Sequence, residues 1–155
     1  MVFARRIVTR TAVAEDHETM DEGAFARAER DGAFLLSWRA HGLCYGLPAQ
    51  LRDVLDAGRT VVANVSRGVI GEAEDLGYPV CVLHVTADPA VLAARVASRG
   101  RETPAEVAAR LARAKGLQSR AATIVEIRND GSLEHGASLF VEALRRCRSR
   151  PVSLA

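Results

Sequence analysis

Lysine is almost absent from this 155-residue chain. Of its 21 lysines and arginines only Lys115 is a lysine, and Gly116 and Leu117 follow it, so the chain contains no Gly-x-x-x-x-Gly-Lys-Ser/Thr motif. The net charge of +2 does not by itself indicate a nucleic-acid ligand. The planar arginine fork suits phosphate oxygens better than an ammonium group does, so the arginines are candidate phosphate ligands. Their positions in the sequence indicate which of them could bind one.

Long apolar runs and clustered cysteines are also missing. No apolar run approaches the roughly 18 residues of a membrane-spanning helix, and residues 1–6 lack the apolar stretch of a secretory signal. The three cysteines, Cys44, Cys81 and Cys147, are odd in number and widely spaced, and the four histidines show no metal-ligand spacing. We therefore expect reduced thiols in a cytoplasmic protein, with no disulfide, no metal site and no membrane partner.

The pattern of hydrophobic residues predicts alternating strands and helices. A length of 155 residues, 48% of them hydrophobic, is enough for one domain with its own core. Largely apolar strands that alternate with helices are typical of a parallel sheet with helices on both faces, which binds ligands at the carboxyl ends of its strands. The predicted strands are 6–11, 34–40, 43–46, 60–65, 79–86 and 122–127, and the predicted helices are 21–30, 47–57, 68–76, 88–98, 103–115 and a closing helix from 132.

A hairpin with polar side chains lies in the sequence FLLSWRAHGLCYG, which turns at His41 and Gly42. Ser37 offers a hydroxyl, and the Tyr45 phenol can donate a hydrogen bond to an anion. Gly46 would permit a close approach to the backbone. Ordinary packing of the aromatic side chains within the sheet remains the alternative.

Arginines are concentrated in two stretches that could face phosphate groups. On the first predicted strand Arg6 and Arg10 lie on one face. The alternative is an edge strand whose charges protect it from pairing with other chains. The second stretch has arginines at helical spacing on two helices joined by Gly100, an arrangement able to close over a polyphosphate. A solvated surface with arginine–glutamate pairs is the alternative there. The arginines of the second stretch are Arg95, Arg99, Arg101, Arg110 and Arg113.

The running order of these blocks resembles the guanylate kinase-like P-loop kinases over nearly the whole chain. It reads TR…E, FLLSWRAHGLCYG, an apolar strand, LAARVASRGRE, ARLARA and IVEIRNDG. In guanylate kinases a hairpin glutamate reads the guanine edge, whereas this sequence has Ser37 at that position. The blocks LSWRAHGLCYG, RGRE, RLARA and NDGSL are similar to the ribose 1,5-bisphosphate phosphokinases of bacterial phosphonate catabolism.

The resemblance implies a three-layer α/β P-loop kinase fold that lacks the first strand and the P-loop helix. It also implies the formation of 5-phosphoribosyl 1-diphosphate from ribose 1,5-bisphosphate and ATP, with Mg²⁺ as the accompanying ion. Arg10 and Tyr45 match residues that hold the acceptor phosphate. The full set of implied site residues is Arg6, Arg10, Glu15, Ser37 and Tyr45 for the acceptor, Arg95, Arg99, Arg101 and Arg110 for the catalytic lid, and Asn129 and Asp130 for the adenine loop.

The implied organisation is a single kinase-like domain over 1–155. It comprises an acceptor-binding region at 5–58, core segments at 60–95 and 122–148, and a lid at 95–115. A sheet without its central first strand would expose apolar surface, so we expect lower stability than in the family or a homodimer. A binding module for a phosphorylated ligand or peptide, without phosphoryl transfer, is the alternative to the kinase.

Overall fold

The computed structural model describes residues 1–10, 17–98 and 123–149 of the chain. The chain divides into two compact units, Met1–Tyr78 and Pro79–Ala155, and each is described by itself. Within those described ranges, no helix is long and apolar enough to cross a membrane.

A four-stranded sheet lies at the centre of the first unit, with its strands in the order β3-β2-β5-β4. β2 and β3 run parallel, whereas β5 is antiparallel to both β2 and β4. β1 and β6 form a separate parallel pair. The strands are β1 (Val2–Phe3), β2 (Arg6–Val8), β3 (His17–Thr19), β4 (Phe34–Ala40), β5 (Leu43–Pro48) and β6 (Val61–Val62).

Of the helices of this unit, the first has a side-chain cap at its N-terminus. The Asp21 carboxylate accepts a hydrogen bond from the Ala24 backbone N–H at 2.8 Å and caps the first helix, which starts one residue later than predicted. A short 3₁₀ helix at Arg67–Val69 leads directly into the third helix. The helices are α1 (Glu22–Arg30), α2 (Leu51–Asp56) and α3 (Ile70–Asp75).

The predicted hairpin is present, and its tip has positive φ angles at His41 (53°) and Gly42 (73°), as a two-residue turn between twisted strands requires. Its second strand runs further than predicted. Leu47 pairs with Leu36 and is almost fully buried, and the next residue, Pro48, still belongs to β5. The predicted helix at 47–57 therefore starts too early, because packing of Leu47 against the sheet outweighs the helix-start signal of the proline.

The two faces of the sheet pack against different partners. One face contributes Trp38 and Leu47 to the main hydrophobic core, which also contains Leu51 of α2 and Val69. The other face is covered by α1, where the Phe25 and Phe34 rings stack with centroids 4.5 Å apart. Phe34 also occupies the space beside Gly46, so the close approach that this glycine permits is made by the phenyl ring.

The second unit contains a pair of parallel strands in exact register, from Cys81–Thr123 to Thr86–Arg128. As predicted, a helix opens at Pro89, and the Asp88 carboxylate accepts a hydrogen bond from the Ala90 N–H at 2.9 Å. The elements of this unit are β7 (Cys81–Thr86), α4 (Pro89–Ser98), β8 (Thr123–Arg128) and α5 (Leu133–Ser149). The helix predicted at 103–115 lies outside the described residues.

The cysteines correct one expectation. Cys81 and Cys147 form a disulfide with their Cα atoms 6.2 Å apart, so the expectation of reduced thiols was wrong for this pair, while Cys44 is free. The two residues are 66 positions apart in the sequence. They meet because α5 returns along the strand pair and brings its last turns to the start of β7, which spacing in the sequence does not reveal.

We expect Gly46→Ala to destabilise the first unit. A Cβ atom at this position would lie 2.6 Å from Cδ1 of Phe34, so the ring must leave its stack on Phe25. Overpacking of this kind costs about 1–3 kcal/mol in the free energy of unfolding. Gly68→Ala is the matched control, because nothing lies within 4 Å of its added Cβ. Urea unfolding that shows equal stability for the two variants would contradict this packing.

We expect the disulfide to stabilise the folded chain. Thiol titration of the unreduced protein after denaturation should find one reactive thiol, Cys44, and titration after reduction should find three. Cys147→Ser should lower the free energy of unfolding by about 2–4 kcal/mol, whereas Cys44→Ser should change it little. Three reactive thiols before reduction would show that the bond is absent.

Candidate functional site

A cavity of about 400 Å³ lies beyond the carboxyl ends of β2 and β3. Because these strands are parallel and adjacent, the residues that follow them meet at one edge of the sheet. The cavity therefore combines a guanidinium group, hydroxyl groups and a carboxylate within one opening. Its lining residues are Thr9, Arg10, Thr19, Met20 and Asp21.

Two of the predicted acceptor residues, Arg6 and Tyr45, lie together on the sheet. The Arg6 guanidinium is 5.7 Å from the centroid of the Tyr45 ring, within the range of a cation–π contact. The Trp38 ring also stacks on Tyr45, with centroids 5.4 Å apart and an interplanar angle of 7°. The Tyr45 ring therefore contacts both a cation and an indole, and these contacts restrict the orientation of its phenol.

Arg10, the other predicted arginine of this stretch, lies beyond the end of β2 and lines the cavity. The neighbouring Thr9 is fixed by β5, because its Oγ1 accepts a hydrogen bond from the Cys44 N–H at 2.8 Å. The remaining polar lining, Thr19 and Asp21, was not identified from the sequence. Thr19 is the last residue of β3, a strand that the sequence pattern did not predict, and Asp21 is the cap of α1.

Ser37 lies on the opposite face of the sheet from Tyr45. It pairs with Gly46, whereas Tyr45 pairs with the next residue of β4, and consecutive residues of a strand point to opposite faces. The Ser37 hydroxyl donates a hydrogen bond at 2.7 Å to Oε1 of Glu29, which belongs to α1. The structure therefore does not bring Ser37 to the face that carries Arg6 and Tyr45.

Glu29 also binds Arg39, a second residue of β4. One guanidinium nitrogen lies 2.6 Å from Oε2 and the other 3.2 Å from Oε1, so the pair is bidentate. The hydrogen bonds from Arg39, and then that from Ser37, lower the pKa of the Glu29 carboxyl group below its ordinary value of 4.5. This cluster joins α1 to the hairpin, and the sequence reasoning did not identify Glu29.

In the second unit Arg95 contacts the predicted adenine loop through the backbone. Its two terminal nitrogens donate hydrogen bonds to the carbonyl oxygens of Asn129, at 2.6 Å, and Gly131, at 2.8 Å. The structure thus brings Arg95 and Asn129 together, with the guanidinium holding the loop. Next to these contacts, the Asn129 side chain packs against Gly136, where an added Cβ would lie 2.6 Å from Oδ1 of Asn129.

Asp130 completes the connection between this loop and the start of α4. Its Oδ1 accepts a hydrogen bond from the Asp88 N–H at 2.5 Å, and Oδ2 pairs with the Nε of Arg128. The Asp88 N–H, and after it Arg128, lower the pKa of the Asp130 carboxyl group. Arg128 also reaches the Asp88 carboxylate at 3.3 Å. The loop after β8 is therefore held by Asp88 at the start of α4 and by Arg128 at the end of β8.

The other predicted site residues lie outside the described part of the chain. These are Glu15, Arg99, Arg101 and Arg110. In the part that is described, no group of three or more histidine, cysteine, aspartate or glutamate side chains could hold a metal ion.

We expect acid to weaken the contribution of Glu29 to stability. Because the pKa of its carboxyl group is lowered on folding, the contribution is fully present above the ordinary value of 4.5 and is lost as the pH falls through the lowered value. Glu29→Gln should therefore be less stable than the unmodified protein at neutral pH, and the difference should shrink in acid. Thermal unfolding between pH 7 and pH 3 measures it (with Glu18→Gln, an exposed residue of β3, as control), and a difference independent of pH would contradict the ionic contact.

Comparison with known proteins places the chain among kinases. It is 47% identical over 152 residues, 97% of the chain and 80% of the relative, to ribose 1,5-bisphosphate phosphokinase PhnN of Acidiphilium cryptum. It is 45% identical over 144 residues, 92% of the chain and 75% of the relative, to the protein of the same name from Brucella melitensis. No family model matches the chain.

The fold is shared with a solved structure as well. Guanylate kinase from Anaplasma phagocytophilum superimposes with a TM-score of 0.65 at 21% identity, covering 97% of this chain and 78% of that protein. This similarity confirms the α/β guanylate kinase-like fold that the sequence blocks indicated. The identities to the curated relatives, over nearly the whole chain, confirm the more specific resemblance: the protein belongs to the ribose 1,5-bisphosphate phosphokinase family of phosphotransferases.

Proposed function

We propose that the protein transfers a phosphoryl group from ATP to ribose 1,5-bisphosphate and so forms 5-phosphoribosyl 1-diphosphate. The observation that supports this most is the 47% identity, across 97% of the chain, to a relative named for that substrate. The cavity beyond β2 and β3 supports the same conclusion, since its volume of about 400 Å³ lies within the range of small-molecule sites.

The cavity suits a phosphorylated sugar better than an uncharged or purely anionic ligand. Arg10 offers a fixed cation with a planar fork, the form that binds phosphate oxygens in pairs. Thr9, Thr19 and Asp21 offer hydroxyl and carboxylate oxygens, which accept hydrogen bonds from sugar hydroxyl groups. In this proposal Arg10 binds a phosphate group of the acceptor, and the other polar lining residues bind its ribose ring.

Arg6 and Tyr45 extend the acceptor-binding surface along the sheet. Val8, between Arg6 and Arg10 in the sequence, pairs with both Thr19 and Tyr45, so the cavity lining and the phenol lie in one row across the strands. A ligand with two phosphate groups requires a second cationic position in addition to Arg10. We assign that position to Arg6, with the Tyr45 hydroxyl as a further donor.

The chemistry places few demands on acid–base groups. A phosphate acceptor is already ionised at neutral pH, so its oxygen attacks the terminal phosphorus of ATP without first losing a proton to the protein. A bond forms between that oxygen and phosphorus, the bond to the bridging oxygen breaks, and ADP leaves with its electron pair. The protein must instead position anionic groups that repel each other and cancel part of their charge, which is the role of arginines.

In this proposal the donor nucleotide contacts the loop at Asn129 and Asp130, with Arg95 holding the loop backbone. Arg99, Arg101 and Arg110 remain the predicted phosphate contacts. Mg²⁺ would accompany ATP. Ser37, at the position of the guanine-reading glutamate, favours a sugar acceptor over a guanine nucleotide.

A paired assay of turnover and binding tests this function. Incubation with ATP, Mg²⁺ and ribose 1,5-bisphosphate should form 5-phosphoribosyl 1-diphosphate, detected by phosphorus NMR, whereas GMP in place of the sugar should give no product. Strong turnover of GMP would overturn the assignment. Calorimetric binding of ribose 1,5-bisphosphate without any transfer would instead favour the binding module described from the sequence.

The variant Arg10→Ala tests whether Arg10 contacts the acceptor, in the same binding assay. Loss of a charge-assisted hydrogen bond should weaken acceptor binding by about 1.5–3 kcal/mol. Arg59→Ala removes an exposed arginine of the same unit that does not line the cavity, and it should leave acceptor affinity unchanged. Equal acceptor affinities for the two variants would remove Arg10 from the site.

A further inference from the structure

His17 is a buried polar side chain of the four-stranded sheet that belongs neither to the main hydrophobic core nor to the cavity lining. It is the first residue of β3, only 6% of its surface is exposed, and neither Nδ1 nor Nε2 has a hydrogen-bond partner among the described residues. A neutral imidazole has one N–H donor and one acceptor nitrogen, and buried polar groups in folded proteins are almost always hydrogen-bonded. An imidazole buried without partners therefore requires a reason.

The position of His17 in the sheet supplies that reason. His17 pairs with Arg6 in the parallel register of β2 and β3, so the two side chains lie side by side on the same face of strands about 4.8 Å apart. Thr19, two residues further along β3, lies on this same face and lines the cavity. Tyr45 shares the face through its pairing with Val8. The imidazole thus lies among the groups assigned to the acceptor.

We propose that His17 is a further acceptor-binding residue whose imidazole N–H donates to a phosphate oxygen of the ligand held by Arg6. This inference rests on the proposed function, because it uses the same acceptor surface. Among the described residues the imidazole of the free protein has no hydrogen-bond partner, and in the proposed complex a phosphate oxygen supplies one. Such a residue is retained for binding at the expense of the stability of the unliganded fold.

Because binding and stability would change in opposite directions, replacing His17 distinguishes a binding role from a structural one. If the free imidazole lacks partners, an apolar side chain of similar size should stabilise the fold by removing an unsatisfied polar group. We therefore expect His17→Leu to raise the midpoint of thermal unfolding by about 2 °C or more. The same variant should weaken the binding of ribose 1,5-bisphosphate by about 10-fold to 100-fold. A histidine that only supports the structure would lose stability on this replacement and keep its ligand affinity.

Two further variants complete the experiment. His17→Gln keeps an N–H donor of similar length and should bind the ligand more tightly than His17→Leu. His41→Asn removes an exposed histidine at the hairpin tip, where asparagine tolerates the positive φ angle, and should change neither stability nor affinity. Calorimetry on the full chain with ribose 1,5-bisphosphate, and separately with inorganic phosphate, provides the affinities.

The outcomes distinguish this inference from the function on which it rests. Unchanged affinity in His17→Leu, a loss of stability in that variant, or a His17→Gln variant that binds no better than His17→Leu would each overturn the role of His17 and leave the kinase proposal intact. If the unmodified protein binds inorganic phosphate but not ribose 1,5-bisphosphate, and His17→Leu weakens phosphate binding, the role of His17 stands and the proposed acceptor is wrong. Binding of neither ligand would overturn both.

Discussion

The pairing register of the sheet β3-β2-β5-β4 determines which side chains of the first unit share a face and can bind the same ligand. Because successive side chains point to opposite faces, a shift of one residue in any pair would exchange every side chain between the faces. The observed register places Arg6, His17 and Tyr45 on one face and Ser37 with Gly46 on the other. The parallel pairing of β2 and β3 within it also brings two chain segments to one edge, where the cavity forms.

Charged groups serve two distinct purposes in the described residues. Some are paired internally and join elements: Arg39 binds Glu29 between the hairpin and α1, and Arg128 binds Asp130 and Asp88 between β8 and the start of α4. The arginines of these pairs are mostly exposed, so each pair contributes modestly to stability and also fixes the orientation of the elements that it joins. Arg10 lines the cavity together with the hydroxyl groups of Thr9 and Thr19, a combination that suits the proposed phosphate-bearing acceptor.

Local signals in the sequence predicted elements well where they involve neighbouring residues. The helices predicted at 21–30 and 88–98 begin within one residue of their observed starts, where Asp21 and Asp88 act as caps. The hairpin turn at His41 and Gly42 followed from the same kind of local chemistry. Long-range contacts were not predictable in this way. Pairing of Leu47 with Leu36 extended β5 into the predicted helix, and the disulfide joined cysteines 66 residues apart.

The sequence by itself determined the chemical character of the protein: arginine in place of lysine, the blocks that identify the family, and a serine where a base-reading glutamate would stand. Those features reside in residue types and short spacings, which folding does not change. Only the tertiary structure decided which groups meet. It turned Ser37 towards Glu29, placed His17 beside Arg6 and set Arg95 against the carbonyl groups of the loop at Asn129, because strand register and helix docking depend on packing between distant segments.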